Sequence, residues 1–403
     1  MTWGRLQAVV VSGSVGEGLL LTALPLIAVS ITKDPQQVAL VKVVGQLPWL
    51  LFSLFAGVLI DRVRRTAVLG AAYAVLACAA LALAVTDAVG ALTLPLLLGV
   101  AFVVTSAQVL GDGTTGALLP EVVGPDRLAA ANTRLILIDQ GAVRFVVPPV
   151  AGFLVAWSAG ASAWAACAAA VLALLLTRGL SSAAVTPSRG HPLRDIPEGL
   201  KYLVGTRLLL AITVAVGLGS FASSAWLAMF ALYSEQELGL GPVGYGVLMT
   251  CVAVGWVAGS FAVDRVVVRL GYAWSMRVSQ IGTVLLTALV AVLPPWPAAV
   301  GAVLLLQSAV IMLWNVCSQS SRQRFTPGRL LGRVLTSHRA LAWGLTPLGA
   351  LVGGLVGAGF GLRAVWVLGA AVQLVAAVVT WRYLSPAGFR AAEEDRRSAA
   401  EPA

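Results

Sequence analysis

Charge is scarce in this chain, because only 11% of its 403 residues are Asp, Glu, Lys or Arg. A typical soluble domain carries about 25%. Hydrophobic residues make up 59% of the chain, and the mean hydropathy is +0.91. A water-soluble fold cannot cover that much apolar surface, so we expect lipid to surround the chain.

Cysteine and histidine are also scarce, with four and two residues respectively. Each cysteine lies in a different apolar run, and none makes a CxxC pair or a ligand spacing, so we interpret them as small core-like residues. The two histidines are far apart, so we predict no metal site. A nucleotide-binding loop of the GxxxxGK[ST] type is absent as well, so direct use of ATP is not expected and we predict no cofactor.

Long apolar runs dominate what is present. A helix needs about 20 apolar residues to cross a bilayer, and the ten-residue alternation of barrel strands does not occur. The first run is too long for the apolar part of a signal peptide, and no cleavage site follows it. The sequence therefore predicts an all-α integral membrane protein with twelve transmembrane helices, roughly over residues 7–31, 38–60, 66–86, 91–118, 128–156, 160–178, 207–232, 243–263, 276–293, 297–318, 334–358 and 363–384.

Basic residues give the chain a net charge of +10. They form short blocks between apolar runs rather than a continuous stripe, which excludes a nucleic-acid-binding protein. The blocks fall in alternate connections, and only Lys33 and Arg363 fall on the opposite side. This bias predicts a multi-pass membrane protein with both termini in the cytoplasm.

An internal duplication is indicated by a repeated Asp-Arg pair. "GVLIDRVRR" ends the second helix of the first half, and "SFAVDRVVVR" ends the second helix of the second half. A polar segment separates the two halves. We therefore predict a six-helix bundle over residues 1–178, a cytoplasmic linker over 179–206, a second bundle over 207–384 and a disordered cytoplasmic tail over 385–403.

The loop after the second helix resembles the signature of the major facilitator superfamily, which reads roughly G-x-x-x-D-R-x-G-R-[RK]. Four positions match it: Gly57, Asp61, Arg62 and Arg65. Arg64 stands where the family usually has Gly. The resemblance implies that Asp61 faces the start of the eleventh helix and closes the cytoplasmic ends of the bundles. Asp264 and Arg265 extend this predicted cytoplasmic gate. A topology signal alone is the other interpretation of the arginines.

Longer stretches are similar to one bacterial branch, the enterobactin-exporter and macrolide-efflux-like transporters. The most specific of them is "WNVCSQSSRQRFTPGRLLGRVLTSHRALAWGLTPLGALVGG". Two features depart from proton-coupled drug exporters of the superfamily. The fourth helix lacks the arginine often found there, and Val147 occupies the usual first Gly of the fifth-helix motif.

Ionisable residues within a span cost about 2.5–3.5 kcal/mol each, so each needs a functional or structural reason. The candidates for proton coupling or buried charge are Glu17, Asp112, Asp139, Arg134 and Arg144. Glu17 lies where the branch usually has an acid, and a buried Glu can exchange a proton. Arg144 with Glu17, and Arg134 with Asp112, are possible pairs, and a static ion pair is the alternative role. Asp112 lacks the GxGD context of an intramembrane protease.

The family lines its central cavity with helices 1, 4, 7 and 10. This implies that the cavity is lined by Gln108, Phe221, Trp226, Trp314 and Asn315. Aromatic side chains with a few polar groups suit a bulky, partly apolar ligand, and packing against lipid or helices is the alternative. Glycines at Gly349, Gly353 and Gly357 predict close helix contact, either for packing or for sliding.

The resemblance implies a secondary active transporter, not an enzyme, that exports a small amphipathic molecule such as a drug, siderophore or secondary metabolite. Proton antiport through alternating access is the expected mechanism. The expected partners are the substrate, protons and membrane lipid, and the expected state is a monomer. An importer or facilitator of a small metabolite is the first alternative, and a non-transporting scaffold or sensor is the second.

Overall fold

The computed structural model describes residues 3–60, 62–123, 128, 131, 134, 135, 138, 143–180 and 192–400. These residues are helical almost throughout, and no strand occurs among them. The all-helical fold follows from the hydropathy of the chain, because backbone groups in lipid must form their hydrogen bonds within a helix.

The helices are numbered in chain order. Their bounds are α1 Trp3–Ile31, α2 Pro35–Ile60, α3 Arg65–Ala88, α4 Leu94–Val123, α5 Arg144–Trp157, α6 Ala161–Thr177, α7 Pro192–Gly205, α8 Arg207–Gln236, α9 Pro242–Val292, α10 Pro297–Arg324, α11 Leu331–Trp343, α12 Thr346–Phe360, α13 Leu362–Thr380 and α14 Pro386–Ala400. A short 3₁₀ helix, Gly328–Leu330, precedes α11.

Proline marks the start of several helices. It is the first residue of α2, α7, α9, α10 and α14, where its missing N–H removes no intrahelical bond. Asp34 caps α2 by accepting a hydrogen bond from the Gln36 N–H at 2.9 Å, as expected of an N-cap residue. Gly361, with a φ of 84°, ends α12 in a conformation that favours glycine.

Eight helices within the described residues are long and apolar enough to cross a membrane. They include α9, whose 51 residues contain the predicted span 243–263 and all but the last residue of the predicted span 276–293. Gly271 separates these spans with a φ of 71°. Two further apolar helices, α5 and α6, are shorter. A multi-pass membrane protein is therefore confirmed.

The chain divides into two compact units. Unit 1 contains the described residues up to 180 together with Phe230–Thr250, and unit 2 contains 192–229 and 251–400. The end of α8 and the start of α9 thus group with the helices of the first half. The predicted six-helix bundles, 1–178 and 207–384, stay a prediction.

Close contacts explain why residues 230–250 group with the first half. Lys33, between α1 and α2, donates to both carboxylate oxygens of Glu235 at 2.6 and 2.5 Å. Gly152 packs so tightly on Pro242 that a Cβ there would overlap the Pro242 carbonyl. Since the ion pair is about half exposed, the helix packing contributes more to this association than the charges do.

Within unit 1, α1 packs against α4, α5 and α6. Gly16 permits close approach to α6, because a Cβ there would lie 3.1 Å from the carbonyl oxygen of Ala166. Ser162 of α6 donates to the Leu19 carbonyl at 3.2 Å. The middle of α1 is consequently fixed on several sides.

Within unit 2, glycines set the packing of α12 on α8 and of α9 on α10. A Cβ at Gly349 would overlap the carbonyl of Phe221, and one at Gly255 would overlap that of Leu305. Each of these partners lies in unit 2. Tight packing within one unit therefore accounts for the glycine spacing.

Replacing Gly349 by Ala is expected to lower the melting temperature of the detergent-solubilised protein, because overpacking costs typically 1–3 kcal/mol. Gly359, on the same helix, is the matched control, since a Cβ there meets nothing within 4 Å. Equal melting temperatures for the two variants would contradict the tight α8–α12 contact.

One end of unit 2 has its own small core, termed here the end cluster. Its fully buried members include Leu203, Phe325, Leu330, Val334, Leu384 and Ala392. Tyr202 donates to the Phe325 carbonyl at 2.9 Å, and burial raises the pKa of its phenol. Glu198 of α7 pairs with Arg333 of α11. The linker helix α7 is thus attached to the start of α11.

The predicted disordered tail differs from the structure, which has a helix, α14, at Pro386–Ala400. Phe389 packs on Phe325 with ring centroids 5.6 Å apart, and Ala392 is buried in the end cluster. A hydrogen bond from Arg396 lowers the pKa of Glu393. The polar composition of the tail predicts disorder, although a few of its apolar residues pack in the end cluster.

Candidate functional site

Glu17 is a buried carboxyl group in the middle of α1, with 8% of its surface exposed. Its Oε1 atom would lie 3.8 Å from a Cβ added at Gly111 of α4. The carboxyl therefore faces α4 beside Asp112, which is exposed. Two acids that are far apart in sequence are neighbours in unit 1, one buried and one open.

Tyr73 of α3 lies near these two acids. It is buried, and its ring lies against Gly13, one helical turn before Glu17. The electrostatic environment of its hydroxyl includes Glu17 and Asp112. A phenol can both donate and accept a hydrogen bond. The acid cluster, defined here as Glu17, Tyr73 and Asp112, thus brings a buried carboxyl, a buried phenol and an exposed carboxyl into one part of unit 1.

The other ionisable candidates are placed differently. Gln108 is half-buried on α4, one turn before Asp112 and on the same face. Arg134 is exposed. Asp139 lies outside the described residues, as does the side chain of Arg144, so the role of Asp139 and the Arg144–Glu17 pair stay predictions.

Unit 2 contains a cavity of about 220 Å³ between α8, α9, α10 and α13. Trp314 and Asn315 of α10 are among its lining residues. The sequence analysis expects both in the family's central cavity, and that role stays a prediction. The remaining polar lining consists of neutral side chains: Ser220, Ser223, Ser279, Gln280, Thr283 and Gln373. No charged side chain is among the described residues that line this cavity.

Hydrogen bonds orient the glutamines of the cavity wall. Thr287 accepts from Gln307 at 2.6 Å and donates to Gln373 Oε1 at 2.9 Å. Gln280 donates to Thr380 at 2.9 Å, while its own Oε1 is buried without a hydrogen-bond partner among the described residues. An unpaired buried acceptor is costly, so a ligand that donates to Gln280 would be favoured.

Phe221 and Trp226 of α8 do not line this cavity. Trp226 is buried and stacks on Trp366, with ring centroids 4.9 Å apart. The backbone of Phe221 packs on Gly349. The predicted place of both residues in the central cavity stays a prediction.

The predicted gate residues are only partly described. Asp61 and the surroundings of Gly57 lie outside the described residues, and Arg62 is exposed. Arg65 donates to the Ala117 carbonyl at 2.8 Å and pairs with Glu121 of α4. In unit 2, Asp264 and Arg265 are exposed. Arg65 thus ties the start of α3 to the end of α4.

No group of three or more His, Cys, Asp or Glu side chains is arranged to hold a metal ion in the part of the chain that the structure covers. The site residues described above can form hydrogen bonds, make apolar contacts and bind protons.

Comparison with known families identifies the chain. The sequence profile of the transmembrane secretion effectors matches residues 7–402. The chain belongs to this family of the major facilitator superfamily.

Two relatives of this chain are exporters by name. The multidrug efflux pump Tap of Mycolicibacterium fortuitum is 25% identical over 394 residues, covering 90% of this chain and 91% of Tap. The enterobactin exporter EntS of Escherichia coli is 25% identical over 232 residues, covering 56% of this chain and 54% of EntS. The chain is a membrane transporter, and export is the direction these relatives favour.

Solved structures share the fold. A bacterial homologue of the iron transporter ferroportin matches 95% of this chain and 98% of its own, with a TM-score of 0.76 and 19% identity. The D-xylose–proton symporter matches 94% and 96%, with a TM-score of 0.69 and 13% identity. The predicted major facilitator fold is thereby confirmed.

Several residues of the transporter's sites escaped sequence reasoning. Tyr73 stands in an apolar run where a tyrosine predicts nothing by itself, and Gln280 and Gln373 lie in helices of the half-repeat that the family does not use for its central cavity. Their signal is polarity within a span, which is weaker than the charge that makes an ionisable residue conspicuous there.

Proposed function

We propose that this transporter exports a small amphipathic molecule from the cytoplasm by proton antiport. The two units would alternate access to the substrate, and the acid cluster of unit 1 would carry the proton. Glu17 supports the proposal most directly, because a carboxyl group buried in a transmembrane helix is retained only for a reason. Its neighbours Tyr73 and Asp112 provide a route from the buried group to an exposed one.

The cavity of unit 2 indicates which part of a substrate it would hold. Its polar lining is neutral, and Trp314 adds an aromatic surface. A volume of about 220 Å³ accommodates a ring with a few substituents rather than a whole large drug. The cavity would bind a neutral, hydrogen-bonding moiety of the substrate.

The proposed location is a bacterial inner membrane, and the proposed state is a monomer. The transporter would lie in a bacterial inner membrane with both termini in the cytoplasm, as the basic segments predict. It would act as a monomer without a cofactor. It would perform no catalysis, and its membership of a transporter family supports this.

Everted membrane vesicles test the function. Vesicles from cells with and without the protein are given an acidic lumen and a panel of amphipathic dyes and antibiotics. We expect at least one compound to accumulate only in vesicles that contain the protein, and a protonophore to abolish accumulation. Accumulation that resists the protonophore would contradict proton antiport, and movement in the opposite direction would contradict export.

A further inference from the structure

A basic cleft lies at the end of unit 2 where α8 begins and α13 has just ended. Arg207, Arg382 and Tyr383 line it. Arg207 is the first residue of α8, and both arginines are exposed. The lining thus offers two guanidinium groups and a phenol. The first N–H groups of α8 lack intrahelical partners at the same place.

The wall of this cleft is held in place. Arg382 donates to the Tyr383 hydroxyl, and its guanidinium lies 4.5 Å from the ring centroid of Tyr383. Arg277 of α9 donates to the Trp381 carbonyl at 2.7 Å and stacks on the Trp381 ring at 4.5 Å. The turn that carries Arg382 is therefore fixed to α9.

An exposed apolar surface adjoins the cleft. Gln280 of α9 bonds to Thr380 of α13, so the two helices are neighbours at this end. Both have large hydrophobic side chains open to the surroundings. These are Trp274, Val278, Ile281 and Leu285 on α9, and Leu374, Val375, Val378 and Val379 on α13. In a membrane, these rows face acyl chains.

The geometry points to a binding site for one anionic phospholipid, with its phosphate between Arg207 and Arg382 and its acyl chains along α9 and α13. The positive charge matches an anionic headgroup, and the apolar rows match the chains directly behind it. The arginines occupy segments that the charge bias places in the cytoplasm, where basic pockets between transmembrane helices bind anionic headgroups. Nothing in the proposed transport cycle requires this site.

Native mass spectrometry of the full-length purified protein tests the site. Phosphatidylglycerol and phosphatidylcholine with identical acyl chains are added in equal amounts. We expect the wild type to retain one phosphatidylglycerol at least about tenfold more than phosphatidylcholine, since each arginine near a headgroup contributes about fivefold. The R207Q/R382Q variant is expected to retain the two lipids equally.

The matched control is R269Q/R390Q, which removes the same charge from exposed positions outside the cleft. It is expected to keep the preference for phosphatidylglycerol. An unselective wild type, a selective R207Q/R382Q variant or an unselective control would each overturn the proposal. If the double variant does not fold, R207Q alone is expected to lower the preference about fivefold.

A second arm separates a lipid headgroup from free phosphate. Inorganic phosphate is added in place of chloride at equal ionic strength. Retention of phosphatidylglycerol is expected to stay within about twofold, because acyl chains add to the affinity. Displacement of the lipid by inorganic phosphate would show that the cleft takes the free anion, and the lipid proposal would fail.

Discussion

Proton-driven accumulation of substrate is expected to fall to the level of protein-free vesicles when Glu17 is replaced by Gln. Glutamine keeps the size of the side chain and resembles the protonated carboxyl, but it cannot release a proton. The substitution should therefore leave substrate–substrate exchange down a gradient intact while it abolishes uphill transport. Both quantities are measured in the same everted vesicles, with and without an acidic lumen.

Two further variants locate the proton route. Tyr73→Phe keeps the ring against Gly13 but removes the hydroxyl, and Asp112→Asn removes the exposed carboxyl. Each is expected to slow proton-driven transport more than exchange. Glu237→Gln, a neutralised acid outside the cluster, is expected to behave as wild type. Undiminished uphill transport by the Glu17 variant would remove the cluster from the mechanism while leaving the transporter assignment standing.

Substrate affinity is expected to drop about tenfold to a hundredfold when Trp314 is replaced by Ala. The reason is the apolar contact that a tryptophan side chain offers to a bound ring, worth about 1.5–3 kcal/mol. The half-saturating substrate concentration for exchange measures this, and the maximal rate should change less. Trp296→Ala is the matched control, because Trp296 is 66% exposed and does not line the cavity.

The neutral lining gives this prediction a second part. Gln280→Leu removes the buried acceptor of the wall, so substrates with a hydroxyl or amide donor should lose affinity and those without one should not. Equal affinities for the wild type, the Trp314 variant and the Gln280 variant would show that the substrate binds elsewhere. The cavity would then be a space left by imperfect helix packing.

Much of the fold could be predicted because lipid imposes strong rules on sequence. Apolar runs of about 20 residues and the positions of arginine are enough to predict an all-helical membrane fold. The partition into units was harder. Residues 230–250 follow the linker in sequence, but Glu235 and Pro242 contact Lys33 and Gly152 of the first half. Such contacts depend on three-dimensional packing, to which hydropathy is insensitive.

The candidate sites were predictable where one residue was conspicuous. A glutamate inside an apolar helix stands out, and so does an asparagine beside a tryptophan. Tyr73, Gln280 and Gln373 do not, because such side chains are common in transmembrane helices for packing alone. These three residues differ from ordinary packing residues only because several helices bring them to a cluster or a cavity. The periodicity of one helix does not show which helices are its neighbours.

The end cluster has a consequence for how the protein is made. Phe325 is synthesised well before α14, yet Phe389 of α14 packs on its ring and Ala392 of α14 is buried in the same cluster. Since chains emerge from the ribosome N-terminus first, the second half cannot finish its assembly until the last described helix has emerged. A nascent chain that stalls after α13 would leave these side chains open to quality-control proteases, even with every membrane span already inserted.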